Sequence, residues 1–344
     1  MEVKNINLAL NENNNFIPDF LTEELKKELF HCNKYPSYIY EDVEKTIREK
    51  YSLDENYTVL LGNGLDEIIM ILLIGLLSHS GKVLSSSNTF KGYIYAANAL
   101  GIEVEEIPLE NFRVNAKQIV RNINENIRAI IICNPHNPCG TLLMTEEIKE
   151  IIQVAKCYGV LVILDEAYIE YVLDENYKNG IDWLHDNKNL IVLRTFSKAF
   201  GLAGLRCGYA IYSVDILENI KEVVKALPFR VSRLACCAAK VCVKNSMLYL
   251  SQIKKINFIK SKIYTALDKR KLFYVKSETN FILIKFGKET NEICDMLLKK
   301  YNIRVRSCEE FGLEFYARVS IGTEEEMDKF IFALSEIVEE HENG

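Results

Sequence analysis

From about residue 58 to residue 212, short β-rich runs alternate with longer helical stretches, and this alternation constrains the fold more than any other feature of the chain. The strand candidates are Thr58 to Leu61, Lys82 to Ser85, Glu103 to Ile107, Ala129 to Cys133, Val160 to Leu164, Leu190 to Leu193 and Cys207 to Tyr212. Ala129 to Cys133 and Val160 to Leu164 are apolar on both faces, as strands buried in a helix-covered sheet must be. Strands and helices in this order predict an α/β layered sheet with right-handed crossovers. After residue 213 the pattern changes. Helical stretches at Val214 to Leu227 and around Met247 to Arg270 precede short strands at Phe281 to Phe286, Arg304 to Arg306 and Tyr316 to Ile321, and a last helix starts at Glu324. This reads as a smaller α+β domain. At 344 residues the chain exceeds what one core holds comfortably. The expected division is an arm over 1–30, a large domain over 31–228 and a small domain over 229–344.

Chemistry-bearing residues fall at the predicted strand ends. Lys198 follows the strand at 190–193, with Ser197 beside it and Arg206 downstream among glycines. A strand-end pocket can desolvate a lysine and lower its pKa, while a hydroxyl and a guanidinium suit a small phosphate. Alone, the run also fits a Gly-rich loop with a solvated lysine. Gly62-Asn63-Gly64-Leu65-Asp66-Glu67 opens the next helix, and the first free N–H groups of a helix face an anion readily. An ordinary turn reads the same way. Asn134-Pro135-His136-Asn137-Pro138-Cys139-Gly140 closes the strand at 129–133, and two prolines hold the Asn137 amide in one place. Asp165 ends a buried strand, where a carboxylate is costly without a partner, though a helix N-cap is the plainer reading. The 33 residues from Asp165 to Lys198 match one βαβ unit, so both sit on one edge of the sheet, where open α/β sheets bind ligands.

Composition narrows the partners. The net charge of −6 argues against nucleic acid or an anionic membrane, so an anionic ligand needs a local arginine cluster. The ten cysteines lack Cys-x-x-Cys spacing and the five histidines do not pair as ligands, so no metal is expected. The opening Met1-Glu2-Val3-Lys4-Asn5 carries no apolar signal core, which predicts a cytoplasmic protein with reduced thiols. The longest apolar run, Ile68 to Leu77, is too short to cross a bilayer and reads as a buried helix.

The run from Arg194 to Gly208, with the motifs at 62–67, 134–140 and 164–168, resembles the pyridoxal-phosphate aminotransferases of the aspartate-aminotransferase fold. It is most similar to the histidinol-phosphate branch, and the likeness extends from Asn11 to Thr323. The resemblance implies a mostly parallel seven-stranded sheet and an arm that packs on the small domain or a dimer partner. It also implies that pyridoxal 5'-phosphate is held covalently by Lys198, with Asp165 on its ring nitrogen and Asn137 and Tyr168 on its phenolic oxygen. The phosphate falls to Gly64, Leu65, Asp66, Ser197 and Arg206, and Phe90 stacks on the ring. Tyr35, in Tyr35-Pro36-Ser37, reaches the site of the neighbouring subunit of a homodimer. Asn11, Arg306 and Arg318 face the substrate. Cys139 stands where the family has threonine, and Ser87-Asn88 where many relatives have prolines. The implied reaction passes an amino group from L-histidinol phosphate to 2-oxoglutarate in histidine biosynthesis. The stretch from Arg306-Ser307-Cys308 to Phe311-Gly312-Leu313 also looks like threonine-phosphate decarboxylases. An aromatic amino acid aminotransferase and a non-catalytic binding module on the same fold are the other readings.

Overall fold

The computed structural model describes residues 5–14, 17–77 and 81–343, so the opening Met1 to Lys4 lies outside the described residues. The chain begins with β1 (Ile6–Asn7), α1 (Asp19–Leu29) and α2 (Ser37–Lys50). The alternating part runs β2 (Tyr57–Gly62), α3 (Gly64–Leu77), β3 (Lys82–Ser86), α4 (Lys91–Ala99), β4 (Val104–Ile107), α5 (Ala116–Asn122), β5 (Ile127–Cys133), α6 (Thr145–Cys157), β6 (Leu161–Asp165), β7 (Leu190–Thr195) and β8 (Gly208–Ser213). Then come α7 (Val214–Ala226), α8 (Arg233–Lys244), α9 (Ser246–Lys269), β9 (Tyr274–Val275), β10 (Phe281–Lys285) and α10 (Thr290–Tyr301). β11 (Ile303–Arg304), β12 (Arg306–Ser307), β13 (Tyr316–Ser320) and α11 (Glu324–Asn343) complete it.

Helix starts follow local chemistry. Ser213 Oγ accepts from the Asp215 N–H at 3.3 Å, Ser232 Oγ from Ala235 at 3.2 Å and Asn115 Oδ1 from Gln118 at 3.0 Å. Each satisfies a donor that the first helical turn leaves free. Glu147 reaches back to accept from the Met144 N–H at 2.7 Å, one half of a capping box at α6.

Seven strands form one sheet in the order β2-β8-β7-β6-β5-β3-β4. β4, β3, β5, β6 and β7 are parallel, and β8 runs against its neighbours β7 and β2. Successive residues of a strand face opposite sides, so the doubly apolar strands feed two cores. Leu84, Ile130, Ile132, Val162, Leu164 and Val192 join one. Val83, Ala129, Ile131, Ile163, Ile191 and Leu193 join the other, with the apolar α3. The winding reverses at β3, because β4 lies on one side of it and β5, β6 and β7 on the other. A crevice opens at the carboxyl ends beside such a reversal. Just past these ends, buried Arg194 donates to Glu166 Oε2, with Nη2 at 2.8 Å, and its Nη2 also reaches Asn179 at 2.9 Å. A buried pair this well bonded fixes the spacing of β6 and β7, since losing one partner strands the other charge.

A second, antiparallel sheet has the order β12-β13-β10-β9, and β1 pairs in parallel with β11. The strand expected over Arg304 to Arg306 is corrected here. It breaks at Val305, because residues 303–304 pair with β1 while 306–307 turn to pair with β13. Among the described residues no helix is long and apolar enough to cross a membrane. All ten cysteines are free thiols.

Candidate functional site

The link from β7 to β8 is a tight excursion. Phe196 N–H donates to the Cys207 carbonyl at 3.1 Å and Leu202 N–H to the Phe196 carbonyl at 2.9 Å, with Phe196 and Ala199 in the core. These bonds fix Lys198 at the mouth of the crevice. Its Nζ donates to the Leu10 carbonyl at 3.1 Å and stands 5.8 Å from the centre of the Tyr168 ring. Lys198 is only half-buried by surface because it faces the cavity, yet protein surrounds the amine on its other sides. Burial, then the charges of Arg318 and Arg206, push its pKa down to about 8 against the pull of Glu12 and Asp66. A lysine in this state is neutral at pH 7 roughly 300 times more often than one at its ordinary value. The rate at which an aldehyde condenses with Lys198 is therefore expected to rise to a plateau above about pH 8. Stopped-flow absorbance with pyridoxal phosphate checks this, and a rate still climbing at pH 10 contradicts it.

Asp165 ends β6 and is fully enclosed. Its Oδ2 accepts from the Tyr93 hydroxyl at 2.5 Å and its Oδ1 from the Ala167 N–H at 3.0 Å. Burial raises its pKa to about 6, partly offset by those two donors. Both donors are neutral, and Lys198 acts on Asp165 only through its charge, so a cation brought by a ligand would be favoured there.

The start of α3 and Arg206 meet at the cavity, where the resemblance expects a phosphate. Gly64 adopts φ +77°, and a Cβ there would stand 2.4 Å from Arg206 Nη2, so the missing side chain leaves room for the guanidinium. Arg206 Nη2 donates to Asp66 Oδ2 at 2.8 Å. The aspartate thus holds the arginine with its side chain as well as opening the helix.

Across the cavity Arg318, buried on β13, donates through Nη1 to Asn137 Oδ1 at 2.6 Å and through Nη2 to the Ala9 carbonyl at 2.8 Å, while its buried Nε has no partner. The first bond engages the amide oxygen of Asn137 and leaves its NH2 end as the donor. Both X-Pro bonds of that loop, at Pro135 and Pro138, are cis. Asn11 Nδ2 donates to the Tyr168 hydroxyl at 3.0 Å, and Asn11 is also bonded through its N–H and Oδ1 to Ser320. Cys139 is fully buried beside Cys308 and takes no part in the cavity.

One cavity of about 270 Å³ collects Asn11, Leu65, Asp66, Phe90, Asn137, Asp165, Tyr168, Ser197, Lys198, Arg206, Arg306 and Arg318. Gly64 stands behind Arg206. Tyr35 is not there: it is 78% exposed, stacked on Phe229 with ring centres 5.1 Å apart, away from the cavity of its own chain. The loop carrying Ser87-Asn88 is fastened without prolines. Ser87 Oγ donates to Asn88 Oδ1 at 2.8 Å, and Asn88 Nδ2 donates to the Phe311 carbonyl at 2.6 Å. Leu10, in the Leu10-Asn11-Glu12-Asn13 stretch that resembles the family's segment near the substrate, lines the cavity too, while Tyr93, Cys133, Thr195, Glu310 and Phe311 also line it and escape a sequence reading. Of these, Tyr93 had a local signal, standing in the first turn of α4 three residues beyond Phe90, whose ring it meets edge-on at 5.4 Å between centres. Among the described residues no group of three or more His, Cys, Asp or Glu side chains is placed to hold a metal ion.

The donor set fits pyridoxal phosphate: an amine with a lowered pKa, an uncompensated buried carboxylate, and an arginine cradle cleared by a glycine. Comparison with known proteins agrees. The family model for aminotransferase class I and II matches residues 3–334. A histidinol-phosphate aminotransferase of Geobacillus sp. (strain WCH70) is 34% identical over 338 residues, covering 97% of this chain and 90% of that protein. The crystal structure of the histidinol-phosphate aminotransferase from Clostridium acetobutylicum superposes with a TM-score of 0.88 at 25% identity, covering 97% of this chain and 99% of that one. The Sinorhizobium meliloti histidinol-phosphate aminotransferase, solved in complex with pyridoxal-5'-phosphate, has the same fold, with a TM-score of 0.88 at 22% identity over 97% of this chain and 91% of that one.

Proposed function

We propose that this chain, which belongs to the class I and II aminotransferase family, passes the amino group of L-histidinol phosphate to 2-oxoglutarate with pyridoxal 5'-phosphate as its cofactor. The observation that carries the reading is the meeting of Lys198, Asp165 and the Gly64–Arg206 cradle in one cavity. When bound, the cofactor supplies an electron sink for the charge left on the substrate's α-carbon.

The chain's own residues do the rest. Lys198 would hold the cofactor and would carry the proton at the substrate's α-carbon, for which a pKa of about 8 suits it. Asp165 holds a proton on the ring nitrogen. Asn137 and Tyr168 donate to the phenolic oxygen, and Asn11 orients the Tyr168 hydroxyl. Ser197, Arg206 and the backbone at Gly64, Leu65 and Asp66 hold the phosphate. Phe90 covers the ring face. It sits close over Gly92, where a Cβ would stand 2.3 Å from its ring. Arg318 and Arg306 take the anionic end of the substrate.

The active unit is a homodimer working in the cytoplasm. The exposed, mutually stacked rings of Tyr35 and Phe229 support a second chain there, with Tyr35 reaching its site. The separate sheets support an arm over 1–30, a large domain over 31–228 and a small one over 229–344. A panel of amine donors assayed with 2-oxoglutarate tests the reaction. Glutamate formed fastest from L-histidinol phosphate is the expected result. Release of carbon dioxide from threonine phosphate, or a preference for aromatic amino acids, overturns it.

A further inference from the structure

Glu310 is the one acidic side chain at the substrate end of the cavity that the reaction above does not use. It sits on the single 3-10 turn Glu309–Phe311 between β12 and β13 and is ion-paired with Nη2 of Arg306. Its neighbour Glu309 turns away and accepts from Asn291 Nδ2 at 3.1 Å. The turn is held firmly. Phe311 N–H donates to the Cys308 carbonyl at 3.0 Å, Gly312 N–H to the Glu309 carbonyl at 2.8 Å, and Asn88 pins the Phe311 carbonyl from the opposite wall. A Cβ on Gly312 would stand 2.9 Å from Asn88 Nδ2, so glycine is what permits that approach. The turn thus holds the Glu310 carboxylate at the exposed rim of the cavity, where its side chain is 40% accessible and bound to Arg306.

Two guanidiniums and one carboxylate then face the substrate's anionic end, so its formal charge is +1 where the arginines alone would give +2. Arg318 has its Nη atoms engaged by Asn137 and Ala9, which leaves Arg306 as the more available grip, and Glu310 shares it. We propose that Glu310 is a specificity-determining residue that weakens the site's hold on anions in proportion to their charge, limiting the grip on a phosphate-bearing substrate more than on a carboxylate and easing release of the anionic product. This rests on the reading of Arg306 and Arg318 given above.

The test uses the holoenzyme loaded with pyridoxal phosphate, so that the cofactor's own phosphate site is filled, and compares the wild type with Glu310→Gln and Glu310→Asp. Calorimetry with inorganic phosphate and with acetate reads the site directly. In Glu310→Gln, phosphate is expected to bind about fivefold tighter and acetate about twofold tighter, with both gains shrinking as salt is raised. The KM for the amino donor falls in parallel while kcat does not rise. Glu310→Asp keeps the charge and keeps wild-type phosphate affinity. Phosphate binding that is unchanged or weaker in Glu310→Gln overturns the proposal, and so does equal tightening in Glu310→Asp. A wild-type holoenzyme that transfers no amino group from any donor defeats the reaction assignment instead, and leaves the phosphate and acetate comparison measurable.

Discussion

Lys198→Ala is expected to lower amino transfer by at least about 10⁴-fold, since in the mechanism proposed above it removes both the covalent holder of the cofactor and the carrier of the α-carbon proton. The loss should appear in kcat under saturating donor and acceptor. The variant should still bind pyridoxal phosphate through Arg206, Ser197 and Asp165, without the absorbance of the imine. Apoprotein stability should move the other way. The folded pKa of Lys198 is lowered to about 8, so between pH 8 and its ordinary value the unfolded chain binds more protons and stability rises with pH. Below pH 8 the charged amine weighs against folding, and alanine there is expected to add about 1–2 kcal/mol, discounted for the cavity-facing surface. Urea unfolding at pH 7 measures it. Turnover at the wild-type rate in this variant would remove Lys198 from the mechanism.

Asp165→Asn is expected to reduce kcat by about 10²–10³-fold, the usual consequence of removing one preorganised charged partner from a water-poor site. Its effect on the apoprotein has a definite sign. Burial raises the Asp165 pKa to about 6, so the folded chain holds the proton longer than the unfolded one. The stability tied to that proton is complete below the ordinary carboxylate range and is lost as pH rises through about 6. Asparagine carries no such loss, and the apo variant should gain about 2–3 kcal/mol above pH 7 and nothing near pH 4. Thermal unfolding across that range tests it. A variant that is faster, or that is less stable at pH 8, would mean that Asp165 already has its cation within the protein.

What the amino-acid sequence discloses depends on the range of the interaction that fixes each residue. β5 and β6 are legible because burial on both faces leaves runs of branched apolar residues at 129–133 and 160–164. Lys198, Asp165 and Asn137 are legible because each closes such a run. The two-residue strand β1 is not, since its pairing rests on residues far along the chain, Ile6 opposite Ile303, and β9 is too short to show an alternation of its own. α8 escapes notice for a different reason: cysteine and alanine, not large aliphatic residues, carry its buried face from Ala235 to Val243. The Tyr93 bond to Asp165 spans 72 residues and the Lys198 bond to Leu10 spans 188. No spacing in the chain announces either. The break at Val305 is equally hidden, because two separate partners compete for three residues.

The segment from Leu10 to Asn13 accepts from Lys198, donates to Tyr168 and Ala199, and is bonded to Ser320 across 309 positions. On a ribosome these first residues emerge long before most of what they touch. The residues of the seven-stranded sheet are all synthesised before Ser320, to which the arm is bonded, exists. A polypeptide that stopped before β13 would lack Ser320, and with it the two bonds that hold Asn11 next to the carbonyl that accepts from Lys198.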